Sequence, residues 1–381
     1  MKRRILKITA VALAAIVLTV AIAAATPQGR LAFRVAFLVA DIIPGFAIKP
    51  QQWFAGPPER ITVQYQMGND TRQADLYLPS SSGKHPAILL AAGVAPRGLD
   101  DPRLVSLAES IARAGIAVLI PHSEQLAVYG VITPREVDSI VLAFQYLQQR
   151  EEIYPARIGV GGFCVGASLA LVAATDERIR DDVRFVSFFA GYYDVVDLIK
   201  SVVSARRFDG DQTWPWAPER VSVDVVQRNL LDSISNPEEY LLLANRFIGQ
   251  VDSVEVNEEA LSGEARAVYR LLSGVPLEET DSLLGNLSPV LLEDFRQVSP
   301  RSSLHSLKAP LLVLHATGDN VVPVDESRRI ARNVPPNVEV NYMEFSSFQH
   351  MTPEGGKNPV PYVQDGVKLF VYLYKVMRML E

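Results

Sequence analysis

A single cysteine in 381 residues rules out an internal disulfide, and no His/Cys spacing of a zinc or other metal site occurs. Histidine is scarce as well, at five. No basic tract follows the N-terminus and the net charge is −6, so nothing calls for a nucleic-acid partner. The glycine spacings of Rossmann and P-loop phosphate sites are missing, and with them the call for a nucleotide cofactor. No internal repeat or low-complexity linker appears. What is left is a chain of 48% hydrophobic residues, long enough to bury a full core and a subsidiary domain.

The lone cysteine sits in Gly162-Phe163-Cys164-Val165-Gly166. Arg157–Gly161 before it reads as a short buried strand, and Ala167–Ala174 after it as a helix. Strand, Gly-x-nucleophile-x-Gly, helix is the context of a nucleophile elbow. The turn is so tight that a side chain at either glycine would collide with its neighbours. The nucleophile then lies over a helix N-terminus, where the dipole and free N–H groups favour an anion. The plainer reading of the same residues is a small buried thiol on a glycine-rich turn.

A nucleophile there needs a histidine base and an acid to orient it, and in this topology both follow in chain order. Pro310–His315 reads as a strand ending in Ala316-Thr317-Gly318-Asp319, which puts Asp319 just beyond a strand's C-terminal end. Val338–Phe345 reads as the next strand, and His350 lies on the loop after it, ahead of a long terminal helix. The other histidines fit less well. His85 precedes a strand, His305 falls in a connection, and His315 sits inside a strand. His122 follows the strand Ile116–Ile120 at the correct edge and is expected to line the pocket. Asp194, after the strand Phe185–Ala190, is a rival acid.

This set resembles the α/β-hydrolase superfamily, and a cysteine at the elbow is similar to its dienelactone-hydrolase branch. The resemblance covers roughly residues 60–195 and 300–381. It includes the His-x-x-x-Asp-x-x-Val-Pro pattern from His315 to Pro323. It implies an α/β-hydrolase fold: a mostly parallel sheet with helices on both faces. It also implies a triad of Cys164, Asp319 and His350. The family's dienelactone enzymes hold a substrate carboxylate with arginines, whereas Met351–Lys357 here contains none.

For the developing oxyanion, one donor is expected to be the N–H of Val165, the residue after the nucleophile. The other is expected from Val94, on the loop after the strand Pro86–Ala91, with Gly93 allowing close approach. Tyr192 and Trp214 are expected to line the substrate site. Arg206 and Arg207 read either as anion recognition or as solvated surface charge.

Residues 1–28 are expected to be a signal or membrane anchor. Met1-Lys2-Arg3-Arg4 is basic, and Ile8 to Ala25 is an uncharged stretch long enough to span a bilayer. Ala23-Ala24-Ala25 also suits signal cleavage. Either way the remainder is exported: membrane-anchored with an extracytoplasmic catalytic domain, or secreted. Residues 29–58 read as a juxtamembrane helix or linker, with Leu31–Ala40 either interfacial or packed on the catalytic domain.

The core is expected in two parts, 59–195 and 301–381. It opens with an edge hairpin, and Arg103–Ala114 and Pro134–Gln149 are its first crossover helices. Between the parts, over 196–300, strand signals fade and acidic-faced helices appear, such as Pro237–Ala244 and Val256–Leu261. These read as a helical cap over Cys164. The expected function is hydrolysis of a small-molecule ester, lactone or thioester through a thioester acyl-enzyme. A peptidase of this fold and a non-catalytic binding protein are the alternatives.

Overall fold

An antiparallel hairpin starts the sheet. Glu59–Met67 (β1) and Asp70–Leu78 (β2) pair antiparallel from Glu59↔Leu78 to Met67↔Asp70, with Gly68 at φ +61° in the turn. In the computed structural model, residues 25–43, 48–94, 98–249, 254–350, 352–353 and 359–381 are described. Six more strands complete the sheet: His85–Ala91 (β3), Ala117–Pro121 (β4), Ile153–Phe163 (β5), Val186–Phe189 (β6), and, after the insertion, Leu311–Ala316 (β9) and Val340–Phe345 (β10). Their order is β1-β2-β4-β3-β5-β6-β9-β10. Only β2 runs against its neighbours. From β3 the chain steps outward to β4 and then returns to the other side of β3 as β5. That reversal opens a crevice beyond the ends of β3 and β5, where open α/β sheets bind ligands.

Because side chains alternate across a strand, the sheet feeds two separate cores. Leu89, Val160 and Val313 face one side, packed against Pro134–Gln148 (α3), Val165–Ala173 (α4) and the insertion. Every residue of α4 is buried, as suits a helix apolar all round. Ile88, Leu90, Val118 and Leu312 face the other side, under Pro102–Arg113 (α2) and the terminal helix Pro359–Met379 (α12). Asp101 caps α2, its carboxylate accepting from Arg103 N at 2.9 Å.

A further helix, Pro27–Ile42 (α1), joins this second face. Leu31, Val35 and Leu38 recur at helical spacing and pack among Ala108, Ala112, Tyr372 and Val376. Arg34 donates to the Ala114 carbonyl at 2.5 Å. Of the two expectations for Leu31–Ala40, the helix docked on the catalytic domain is the one observed. Residues 1–24 of the expected anchor lie outside the described residues. Among the described residues no helix is long and apolar enough to cross a membrane.

The insertion between β6 and β9 holds Val195–Ser204 (α5), Arg220–Leu231 (α6), Pro237–Phe247 (α7), Gly263–Leu272 (α8), Leu277–Leu284 (α9) and Pro289–Gln297 (α10). It departs from the sequence reading in two places. A hairpin, Arg206–Asp209 (β7) with Gln212–Pro215 (β8), stands where strand signals had faded. Its arginines are held by local partners, Arg206 by Thr213 and Arg207 by Asp325. Val256–Leu261 forms only the single turn Glu258–Ala260. The Arg266 guanidinium takes the carbonyls of Glu258, Glu259 and Leu261, which a continuing helix would need. The last helix of the core before α12 is Val324–Asn333 (α11).

Candidate active site

β5 delivers Cys164 to the crevice and α4 starts at the next residue. The turn between them is closed by contact. A Cβ on Gly162 would lie 2.5 Å from Gly166 O, and one on Gly166 would lie 2.3 Å from Ala91 O. Cys164 itself is held at φ +53°, ψ −132°, with its N–H on Phe189 O at 2.9 Å and its carbonyl on Ala167 N at 3.0 Å. A non-glycine residue in that region stores about 1–3 kcal/mol of strain, sustained here by the packed strand and helix on either side. The thiol is half-buried at the start of α4.

Asp319 stands on the turn after β9, 3% exposed. Its Oδ1 accepts from Val321 N at 2.7 Å and Val322 N at 2.9 Å, and its Oδ2 from His350 Nδ1 at 2.7 Å. His315 Nε2 lies 3.2 Å from the same Oδ2 and 2.9 Å from Val322 O. Both of those partners accept, so Nε2 carries the proton, and His315 Nδ1 is left to accept from Ser327 Oγ at 2.5 Å. Burial alone would raise the Asp319 carboxyl. Hydrogen bonds from His315 and His350 outweigh it and hold the group well below the usual carboxylate range.

His350 occupies a turn between Phe348–Gln349 and Thr352–Pro353, at φ +50°. The approach to it is tied to α12. Asp365 Oδ2 accepts from Ser346 N, Ser347 N and Ser347 Oγ, each at 2.8 Å. Burial would lower the imidazole, but hydrogen bonds to Asp319 and to the Cys164 sulfur push it up to about 10. Since Nδ1 faces Asp319, Nε2 is the nitrogen left for sulfur. The structure thus brings Cys164, His350 and Asp319 together from three separate loops at one edge of the sheet.

Val165 opens α4, so its N–H has no intrahelical partner. Val94 follows Gly93, and a Cβ on Gly93 would fall 3.0 Å from Cys164 Cβ. Val165 thus adjoins Cys164 in the chain, and the residue before Val94 packs against Cys164.

The three residues expected to line the substrate site are each engaged by other partners. The backbone N–H of His122 donates to Gln73 O, and its Nε2 lies 3.6 Å from Asp75 on β2, three strands away from β5. Tyr192 is fully buried, its hydroxyl donating to Val298 O. Trp214 is stacked under the Arg207 guanidinium, 4.6 Å away on the β7–β8 hairpin. The tryptophan that reaches the triad is Trp216, whose Nε1 donates to Asp319 O at 2.9 Å. The rival acid Asp194 caps α5 through Val196 N and pairs with Arg301. Sequence reasoning also missed Asp365, because an aspartate nearly two turns into a helix carries no signal of what its carboxylate will grip. Among the described residues no group of three His, Cys, Asp or Glu side chains is arranged to hold a metal ion.

Residues 73–195 match the dienelactone hydrolase family. The chain resembles a probable 2-oxo-3-(5-oxofuran-2-ylidene)propanoate lactonase from Bradyrhizobium sp, 28% identical over 137 residues, which are 32% of this chain and 54% of that protein. The chain thus spans about half the length of that curated relative. Among solved structures it resembles Pyrococcus horikoshii acylaminoacyl peptidase, with a TM-score of 0.51 and 16% identity over 86% of this chain and 44% of the other. This is an α/β-hydrolase fold. Its mostly parallel sheet with helices on both faces conforms to it.

Proposed function

We propose that the chain hydrolyses an ester, lactone or thioester through a Cys164-His350-Asp319 triad. The observation that carries this is the convergence of a strained, half-buried cysteine on an imidazole whose other nitrogen is bound to a buried carboxylate. The lactonase likeness and the family match support an ester or lactone carbonyl as the electrophile.

The Cys164 thiolate attacks the carbonyl carbon, forming a carbon–sulfur bond. The oxygen charge that develops is received by the N–H groups of Val165 and Val94 at the head of α4. The intermediate collapses, the carbon–oxygen bond to the leaving group breaks, and the imidazolium of His350 gives that oxygen its proton. Neutral His350 then takes a proton from water, which attacks the thioester. The acid product leaves and the thiolate and imidazolium are restored. Asp319 holds the imidazole's tautomer and orientation throughout.

Residues 8–25 serve, on this proposal, as a membrane anchor or export signal, with the catalytic domain on the extracytoplasmic side.

Intact-mass spectrometry with p-nitrophenyl esters, lactones and peptide amides tests the reaction. Wild type should gain one acyl group and release p-nitrophenol, and Cys164→Ala should do neither. Equal hydrolysis by Cys164→Ala would remove the nucleophile from the account. Amide turnover exceeding ester turnover would replace it with a peptidase.

A further inference from the structure

The cap grips the acid loop at the carbonyl end of three consecutive residues. Trp216 Nε1 donates to Asp319 O at 2.9 Å, Glu219 N to Asn320 O at 2.7 Å, and Ser222 Oγ to Val321 O at 2.7 Å. Two of these peptide units matter twice. The N–H groups of Val321 and Val322 hold Asp319 Oδ1, and those N–H groups belong to the same planar peptides as the Asn320 and Val321 carbonyls. A trans peptide directs its C=O and N–H in opposite directions. Fixing the carbonyls from the cap side therefore aims the amides at the carboxylate.

The far end of α6 holds the loop at Gly130 and Ile132. Asn229 accepts from Ile132 N at 2.9 Å and donates to Gly130 O at 2.8 Å and Val225 O at 2.8 Å. Val225 presses on Gly130, where a Cβ would meet its Cγ2 at 3.0 Å, and Val94 Cγ2 lies 3.7 Å from the same point. Ser222 to Asn229 is two turns of helix, about 10 Å at 1.5 Å per residue. Trp216, Ser222 and Asn229 are all buried, so these bonds do not compete with bulk water.

We infer that residues 216–229 are a brace that aims the Asp319 carboxylate and ties the acid loop to the loop beside Val94, with Trp216 and Ser222 as positioning residues. This rests on the triad reading. It makes the acid's orientation a property of the cap rather than of the sheet: a cap that is displaced releases the very peptides that hold the carboxylate.

The test uses the full chain in detergent with Trp216→Phe, Ser222→Ala and, at the distant start of α8, Ser262→Ala as control. Cys164 alkylation by iodoacetamide is followed against pH, since its upper inflection reports loss of the His350 proton and needs no hydrolysis. Turnover of p-nitrophenyl acetate is measured alongside. Trp216→Phe and Ser222→Ala should each lower kcat about tenfold with KM within about twofold, and move the upper inflection down by about one pH unit. The control should match wild type in both.

An unmoved inflection in both brace variants overturns the inference, whether kcat is retained or lost, because loss alone is what a structural role gives. Should Trp216→Phe fail to fold, Ser222→Ala decides. A shifted inflection in a protein that turns over no ester keeps the brace and discards the hydrolase. Ester turnover with both variants unchanged does the reverse.

Discussion

Gly93 lies so close to Cys164 that a methyl group on it would meet the cysteine's Cβ at 3.0 Å and the Phe163 carbonyl at 2.8 Å. Neither neighbour is the loose end of a flexible side chain. Gly93→Ala should therefore push back the loop that carries Val94 and remove its N–H from the oxyanion. We expect kcat to fall about a hundredfold, the loss typical of one oxyanion donor. Steady-state kinetics with p-nitrophenyl esters, beside an unchanged pH profile for Cys164 alkylation, checks this. Wild-type turnover in the alanine variant would sink the assignment of Val94.

The Asp319–His350 pair sets the pH behaviour. His350 is raised from 6.5 to about 10, so its contribution to stability is complete below about 6.5 and is lost as pH rises through about 10. Asp319 is lowered, so its contribution is present above about 4 and is lost as pH falls through its own depressed value. Both describe one ion pair. In Asp319→Asn the upper inflection of Cys164 alkylation should drop from about 10 toward the ordinary histidine value, and ester turnover should fall at least about a hundredfold. An inflection that stays put would separate the carboxylate from the imidazole.

Asp365 should matter to both folding and turnover. Replacing it with alanine strands the buried N–H and hydroxyl of Ser347 and the part-buried N–H of Ser346, on the turn that leads to His350. A loss of about 2–4 kcal/mol in urea unfolding is expected from donors left without an acceptor. A fall in kcat should persist at temperatures where the variant is fully folded. Turnover equal to wild type there would show that the turn keeps its shape unaided.

Truncation distinguishes the two N-terminal elements. A chain starting at residue 25 keeps α1 and should stay folded while leaving the membrane fraction. One starting at residue 44 loses Leu31, Val35 and Leu38 from the second core and uncovers Tyr372 and Val376. At about 1.5–3 kcal/mol for each buried aliphatic side chain, the loss is about 5 kcal/mol or more. Sedimentation of membranes and thermal melts of both chains read the outcomes. Equal melting temperatures would make α1 a passenger.

Much of this architecture was legible in the chain because it is local. The elbow announces itself through glycines that only a strand-to-helix turn of this tightness requires. The edge hairpin follows from its turn signal, and α2 and α3 match their expected ends to within one residue. Asp319 and His350 could be singled out because each follows a clear apolar strand. The lining residues could not. His122 stands at the correct edge, but the buried Asp75 beside it turns its ring toward β2. Tyr192 follows a strand end, yet Ser168 Oγ and Val298 O fold it into the core. Trp214 and Trp216 are indistinguishable in sequence, and only the β7–β8 pairing decides which one reaches Asp319. Most of these choices belong to contacts between residues distant in the chain, up to the 106 positions between Tyr192 and Val298.

Cys164 is the only sulfhydryl of the chain. Oxidation to a sulfenic acid would find no second thiol in the polypeptide with which to form a protective disulfide. Rescue must then come from a small reductant that reaches the half-buried sulfur from outside. Otherwise the sulfur passes on to the sulfinic state, which is irreversible for most proteins. In an oxidising compartment the working life of such a protein would be set by the local supply of reducing equivalents rather than by how firmly it is folded.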